Sequence, residues 1–401
     1  MSKVLGQVST QFLQLASADK PFVFAGGQSM EDLCLAYETY GQLNATRSNA
    51  ILLFHALSGS QHAAGFNPEV PGLDGRWTAD VQKGWWDLFI GPGKALDTDR
   101  YFVICANYLG GCYGSSGPAS PNPKTGKPYG ADFPAVLSSD VVRSQAALLD
   151  HLGIEVLHAV IGASVGGLLA INFATLLPQR VRLVVPIASG LCTTVLTRLT
   201  LFEQVLAIEN DPQFRGGNYE AGQAPEYGLA LARMISHKTF VHLDAIERRA
   251  RQSVVSSGDQ LAWYQMGHNV ESYMLHQGKK FVRRFDANSY LRIINLWLRF
   301  DPLRDAGVSD AASLFARSAQ AGHHYLVFSI DSDFCFYPEE QANLVRELEA
   351  AGVSSMHITV HSDKGHDSFL LEPELYTPHL VHTLEGRWRK AGQVPENDAV
   401  E

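Results

Sequence analysis

Long apolar runs are missing from this chain: none approaches the roughly 18 residues that a membrane-spanning helix needs. Cysteine is scarce and scattered. Cys34, Cys105, Cys112, Cys192 and Cys335 form no C-x-x-C pair and are odd in number, which argues against a disulfide framework and against a zinc knuckle. Positive charge is in deficit too. The 32 Lys and Arg residues face 41 Asp and Glu, a net charge of −9, and no basic run could follow a phosphate backbone, so no nucleic-acid partner is expected. Residues 1–7 lack a basic stretch leading into an apolar one, so no secretory leader and a cytoplasmic location are expected. Disorder is excluded by the balance of 46% hydrophobic to 18% charged residues, which allows a sizeable core.

With 401 residues there is room for two compact domains, or for one large domain carrying an insertion. Residues 49–55 and 101–106 are short continuous apolar runs, as expected of strands buried on both faces. Residues 110–130, rich in Gly, Ser and Pro, read as loop. A helix follows, capped by Ser138 or Ser139, with Val141, Val142, Gln145, Leu148, Leu149 and Leu152 on one face before Gly153. Strand 157–161, an almost wholly apolar helix 165–177 stopped by Pro178, and strand 181–188 come next. Alternation of this kind implies a mainly parallel sheet with helices on both faces.

The character changes over residues 191–320, where 197–210 and 228–253 read as helices and a basic, aromatic-rich stretch covers 273–300. The α/β pattern then resumes with strand 325–330, helix 338–351 and strand 356–360. The expected organisation is a core in two parts, 1–190 and 321–392, a helical lid insertion at 191–320, and a frayed tail at 393–401.

Gly162-Ala163-Ser164-Val165-Gly166 matches G-x-S-x-G. The bare pattern also suits any Gly-rich turn. Here it falls where an apolar strand ends and an apolar helix begins, as a nucleophile elbow requires, so Ser164 is the candidate nucleophile of an α/β-hydrolase fold. Serine needs a base, and in this fold the order along the chain is Ser, then acid, then His. Of 15 histidines, His366 follows the last expected strand. Asp331 and Asp333 both follow the strand before it, and spacing does not choose between them. The loop His55-Ala56-Leu57-Ser58-Gly59 follows an early strand, so the backbone N–H groups of Leu57 and Val165 are the natural oxyanion donors. His55 and His62 lack acidic or cysteine ligands at suitable spacing, so no metal is expected. Gly110 to Gly117 lacks the phosphate-binding fingerprints and reads instead as a loop lining the substrate site.

Several stretches resemble the homoserine O-acetyltransferase family. Among them are Leu35-Ala36-Tyr37-Glu38-Thr39-Tyr40-Gly41, His55-Ala56-Leu57-Ser58-Gly59, Gly84-Trp85-Trp86-Asp87, Asn107-Tyr108-Leu109-Gly110-Gly111-Cys112, Arg284-Phe285-Asp286-Ala287-Asn288-Ser289-Tyr290 and Gly365-His366-Asp367-Ser368-Phe369-Leu370. The likeness spans residues 35–370. It implies Ser164, Asp333 and His366 as the catalytic triad, Arg233 for the carboxylate of an amino acid and Asp367 for its ammonium. It also implies a ping-pong reaction in methionine biosynthesis with acetyl-CoA as co-substrate, no permanently bound cofactor, and a homodimer formed through the lid. The succinyl-using branch of the family carries an arginine two residues after the triad acid. Cys335 stands there, which favours acetyl, whereas Gly117-Pro118-Ala119-Ser120 resembles the succinyl branch. Homoserine and serine both remain open as acceptors, and a serine ester hydrolase is the alternative of a different class.

Overall fold

The computed structural model describes residues 5–73, 75–220, 222–251, 261 and 263–387. Its framework is one eight-stranded sheet made of β1 (Gln11–Ala16), β2 (Leu33–Tyr40), β3 (Ala50–Phe54), β4 (Phe102–Ala106), β5 (Leu157–Ala163), β6 (Val181–Ile187), β7 (His324–Ile330) and β8 (Ser354–Val360). The order across the sheet is β1-β2-β4-β3-β5-β6-β7-β8. β2 pairs antiparallel with β1 and with β4, and every later pairing is parallel.

The central strands are mostly apolar because each face meets a separate core. Along β3, Leu52 and Phe54 join one cluster, with Leu168, Phe173 and Leu344, whereas Ile51 and Leu53 join the other, with Phe328, Tyr376 and Leu380. That is the two-residue period of a strand realised on both sides. α1 (Ser138–His151), α2 (Val165–Leu176) and α10 (Pro338–Ala350) cover the first face, and α11 (Pro373–Leu384) lies on the second. α2 packs on β3, β5 and β6, and all but one of its residues are buried, which accounts for its lack of a polar side. At the start of α1 the expected serine cap is not used. Asp140 instead accepts from the Leu137 N–H at 2.9 Å, and its other oxygen takes the Ala25 N–H at 2.8 Å, so the cap also ties in the N-terminal segment.

Among the described residues no strand of the sheet lies between β6 and β7. This segment holds α3 (Val195–Glu209), α4 (Glu226–Phe240), α5 (Leu243–Ala250), α6 (Asn269–Val282), α7 (Ala287–Leu298), α8 (Pro302–Ala306) and α9 (Ala311–Ala321). The 191–320 boundaries are too generous for a lid. α8 and α9 pack on α2, and α9 also on α10, so both continue the outer layer of the core and the cap itself is α3 to α7. The helix read over 228–253 is interrupted. Val241 is extended, and the His242 N–H donates to the Lys364 carbonyl at 3.3 Å. Gly365, at φ +69°, lies so close that an added Cβ would meet the His242 nitrogen at 2.8 Å. The break therefore seats the cap directly on the loop that carries His366. The tail 393–401 lies outside the described residues.

Candidate active site

Ser164 joins β5 to α2 with φ +58° and ψ −128°, a region that costs a non-glycine residue about 1–3 kcal/mol. The glycines around it are close-approach positions. A Cβ at Gly162 would stand 2.0 Å from the Gly166 carbonyl oxygen, and one at Gly166 would stand 2.3 Å from that of Phe54. The turn is held from the far side by the Ser164 N–H, which donates to Ile187 at 2.9 Å. Ser164 thus sits at the mouth of α2, whose first amide, that of Val165, has no acceptor within the helix.

His366 occupies a short helical turn, Gly365–Asp367, after β8. Its Nδ1 lies 2.6 Å from Asp333 Oδ2, and the other carboxylate oxygen accepts from the Cys335 and Phe336 N–H groups at 2.7 and 2.9 Å. Asp331 is turned away: its oxygens meet His361 Nδ1 at 2.8 Å and the Ser362 N–H at 3.1 Å. The geometry pairs His366 with Asp333. The rings of Phe240, Phe336 and Phe369 surround the imidazole at 5.2–5.8 Å, leaving Nε2 buried and without a hydrogen-bond partner. Ser164 Oγ is not bonded to it, so the hydrogen-bonded chain runs from Asp333 to His366 and stops short of Ser164.

One cavity of about 330 Å³ is lined by Ser164, His366, Leu57, Arg233, Asp367 and Arg284 among others. Arg233 comes down from α4, its guanidinium 4.9 Å from the Phe281 ring centre and 5.5 Å from that of Phe240. Its Nη1 is buried with no hydrogen-bond partner. Burial, and then the charge of Arg284, lower its pKa. Asp367 is half-buried, and burial raises its carboxyl pKa against the opposing pull of His366 and Arg233. Among the described residues Arg233 and Asp367 form no ion pair with each other, so two opposite charges wait in one cavity.

Arg284, which sequence reasoning quoted only within a motif, is a third charge here. It donates to the Tyr113 hydroxyl at 2.9 Å and to the Ser58 carbonyl at 3.4 Å, both neutral. From the 110–117 loop only Tyr113 reaches the cavity. That loop spends other polar groups on itself and on β2, for example Gly110 N–H to Ser116 and Ser116 N–H to Cys34, and meets the cavity through Tyr113. Cys335 faces a neighbouring cavity of about 300 Å³ that shares Leu57 and Phe240 with the first. His55 stacks on Tyr108 at 3.7 Å, and burial pushes its pKa down to about 4. His62 is engaged separately with Glu38. No group of three or more potential ligand side chains that could hold a metal occurs among the described residues.

Residues 49–373 match the model of the alpha/beta hydrolase fold. The chain is 43% identical over 363 residues to a homoserine O-acetyltransferase of Mesorhizobium japonicum, covering 90% of this chain and 89% of that one. The chain belongs to the homoserine O-acetyltransferase family. Succinyl-named relatives are as similar: a homoserine O-succinyltransferase of Stutzerimonas stutzeri is 43% identical over 375 residues, covering 93% of this chain and 94% of that one. Among solved structures, the family's homoserine O-acetyltransferase from Bacillus anthracis superposes with a TM-score of 0.81 at 28% identity, over 95% of this chain and 98% of that one. Esterase E22 does so equally well, at 0.81 and 27%, over 94% and 100%. Fold likeness alone therefore does not separate transfer to an amino acid from ester hydrolysis.

Proposed function

We propose that this chain is a homoserine O-acetyltransferase working through a Ser164 acyl-enzyme. Ser164 Oγ attacks the thioester carbonyl of acetyl-CoA while His366 Nε2 takes its proton. The oxyanion is held by the Leu57 and Val165 N–H groups, and CoA leaves as a thiol with that proton. The homoserine hydroxyl then gives its proton to His366 and attacks the acyl carbonyl, and Ser164 recovers the proton as O-acetylhomoserine forms. Asp333 orients the imidazole and stabilises its charged form. Arg233 receives the substrate carboxylate in its planar fork, and Asp367 receives the ammonium. No permanently bound cofactor is needed, and CoA is a co-substrate.

The observation that carries this reading is Arg233, whose Nη1 is buried without a hydrogen-bond partner, sharing one cavity with Asp367, Ser164 and His366. A plain ester hydrolase has no use for two opposed, desolvated charges, whereas a zwitterionic acceptor neutralises both. Cys335 brings no cation beside the triad acid, which favours acetyl over succinyl. Arg284 favours the second reading, succinyl transfer, because its hydrogen bonds from the cavity wall go only to neutral acceptors. Steady-state rates with acetyl-CoA and succinyl-CoA, each crossed with homoserine and serine, test both. The highest kcat/KM is expected for acetyl-CoA with homoserine. A preference for succinyl-CoA that disappears in Arg284→Met would establish the second reading, and release of CoA with water as sole acceptor at the full rate would establish a hydrolase. The proposed setting is the cytoplasm, in methionine biosynthesis, as a homodimer through the cap.

A further inference from the structure

His62 lines the wall of the catalytic cavity, yet the mechanism above does not use it. Both its ring nitrogens are committed. Nδ1 lies 2.8 Å from Glu38 Oε2, and Nε2 lies 2.9 Å from the Gln82 carbonyl oxygen. A carbonyl can only accept, so Nε2 carries a proton. The state of Nδ1 depends on Glu38, which is fully buried on β2 and collects three further donors: Thr10 Oγ1, the Tyr40 hydroxyl and Asn67 Nδ2, each at 2.8 Å. So many donors suit a carboxylate rather than a carboxylic acid. Burial alone would raise the Glu38 pKa, but the hydrogen bonds to His62, Asn67 and Thr10 oppose it, and the group is held below its ordinary value. An ionised Glu38 leaves Nδ1 as the donor. The two lysines on this wall are engaged elsewhere, Lys83 with Asp87 and Lys280 with Asp80.

We infer that Glu38 and doubly protonated His62 form a buried ion pair that clamps the oxyanion loop, with His62 as a positioning residue for the Leu57 N–H. The clamp spans three parts of the chain: β2 through Glu38, the loop after β3 through His62, and the segment before Trp85 through Gln82. Tyr40 extends it by donating to Glu38 while accepting from the Ala63 N–H at 2.7 Å. Trp85 adds a bond from its Nε1 to the Ser60 carbonyl at 2.9 Å. The loop from Ala56 to His62 is thereby fixed at its far end, and Leu57 lies five residues upstream of that anchor. An ion pair resists the outward pull that a developing oxyanion exerts on its donor, because leaving either charge unpaired in the interior is costly. The functional half of this inference rests on the proposed oxyanion role of Leu57, whereas the charge state of the pair does not.

Two measurements separate these halves. The ¹⁵N spectrum of the histidine side chains of the whole protein, near neutral pH, should show both His62 nitrogens protonated and a neutral ring once Glu38→Gln removes the charge. A wild-type spectrum with one bare His62 nitrogen overturns the clamp. Rapid mixing with acetyl-CoA then compares wild type, His62→Gln, Glu38→Gln and the double variant. Both the CoA-release burst and the later transfer step should slow by about 10- to 100-fold in either single variant. The homoserine KM should stay within about twofold, since only transition-state positioning is lost, and the double variant should be no worse than the singles. Folded single variants that melt earlier but keep wild-type rates would reduce the pair to a structural role and overturn the positioning claim. A wild type that gives no burst counts against the acyl-enzyme reading alone, and the spectrum still decides the clamp.

Discussion

Two aspartates follow β7 two positions apart, and nothing in their spacing says which one meets the histidine. The distinction arises in three dimensions. Asp333 is buried, and its second oxygen is occupied by two backbone amides, so its orientation is imposed before His366 arrives. Asp331 is exposed and joins β7 to the loop after β8. Asp333→Asn should therefore lower kcat by about 10³–10⁴-fold by allowing the wrong imidazole tautomer, while Asp331→Asn stays near wild type. Steady-state rates of the two variants check this, and a larger loss for Asp331→Asn refutes it. The acceptor residues follow a different logic. Arg233→Ala and Asp367→Ala each leave an opposite charge of the substrate unpaired beneath the cap, at a cost of about 2–5 kcal/mol in transition-state stabilisation. Acyl-enzyme formation needs neither, so the CoA burst should survive while turnover with homoserine falls. Loss of the burst in both variants would mean that they support the fold or CoA binding instead. Ser164 and His366 are legible in the sequence because each has a local signature, a G-x-S-x-G turn or a loop after a terminal strand. Glu38 and His62 are not, because 24 residues, β3 among them, separate partners that only the sheet brings together.

At the scale of elements, legibility follows burial. β3 and β4 read as continuous apolar runs, and β5 to β7 as apolar runs with one or two polar residues, because both faces are covered. β1 lies at the sheet edge with half its residues exposed, and Gln11-Phe12-Leu13-Gln14-Leu15-Ala16 offers no such run. The break after α4 is equally silent in sequence, since its cause is a carbonyl from residue 364. α10 carries a strain of its own. Glu340, in its first turn, accepts from the Tyr337 N–H at 3.1 Å, yet burial pushes its carboxyl from 4.5 up to about 7, with Asp333 adding to the effect. A folded pKa above the unfolded one means that the folded state holds the proton more tightly. The stability this supplies is full below pH 4.5 and is lost as pH rises through about 7. Glu340→Gln keeps an oxygen for Tyr337 and removes the charge. The variant should match wild type in thermal melts near pH 4.5 and exceed it at pH 8, by on the order of 1–3 kcal/mol. An equal or lower melting temperature at pH 8 counts against this account.

At the scale of the whole molecule, the change of pattern after residue 190 is legible in the sequence as a run of helices without a strand of the sheet among the described residues, whereas what the last of those helices pack on is not. α8 and α9 have the composition of cap helices and are assigned to the core only by what they touch. The cap in turn presents a face that the monomer does not explain. Val195, Leu199, Phe202 and Leu206 on α3 are 77%, 54%, 52% and 42% exposed, and their spacing of four, three and four places them on one stripe. Tyr227 on α4, 70% exposed, adds to the apolar surface beside it, since α3 and α4 pack together. A stripe with this heptad-like spacing is suited to a second helix, and a two-fold axis would let α3 meet the same helix of a second copy. The proposed homodimer would bury it while leaving the catalytic cavity of each subunit complete, because every triad residue comes from one chain. Leu199→Glu and Phe202→Glu place a charge in the centre of that contact and should shift the protein to monomer in sedimentation velocity. The acyl-enzyme burst should persist in the monomer, since Ser164, His366 and Asp333 lie outside α3. A wild-type protein that sediments as a monomer at micromolar concentration, or variants that remain dimeric, would remove the cap stripe as the interface.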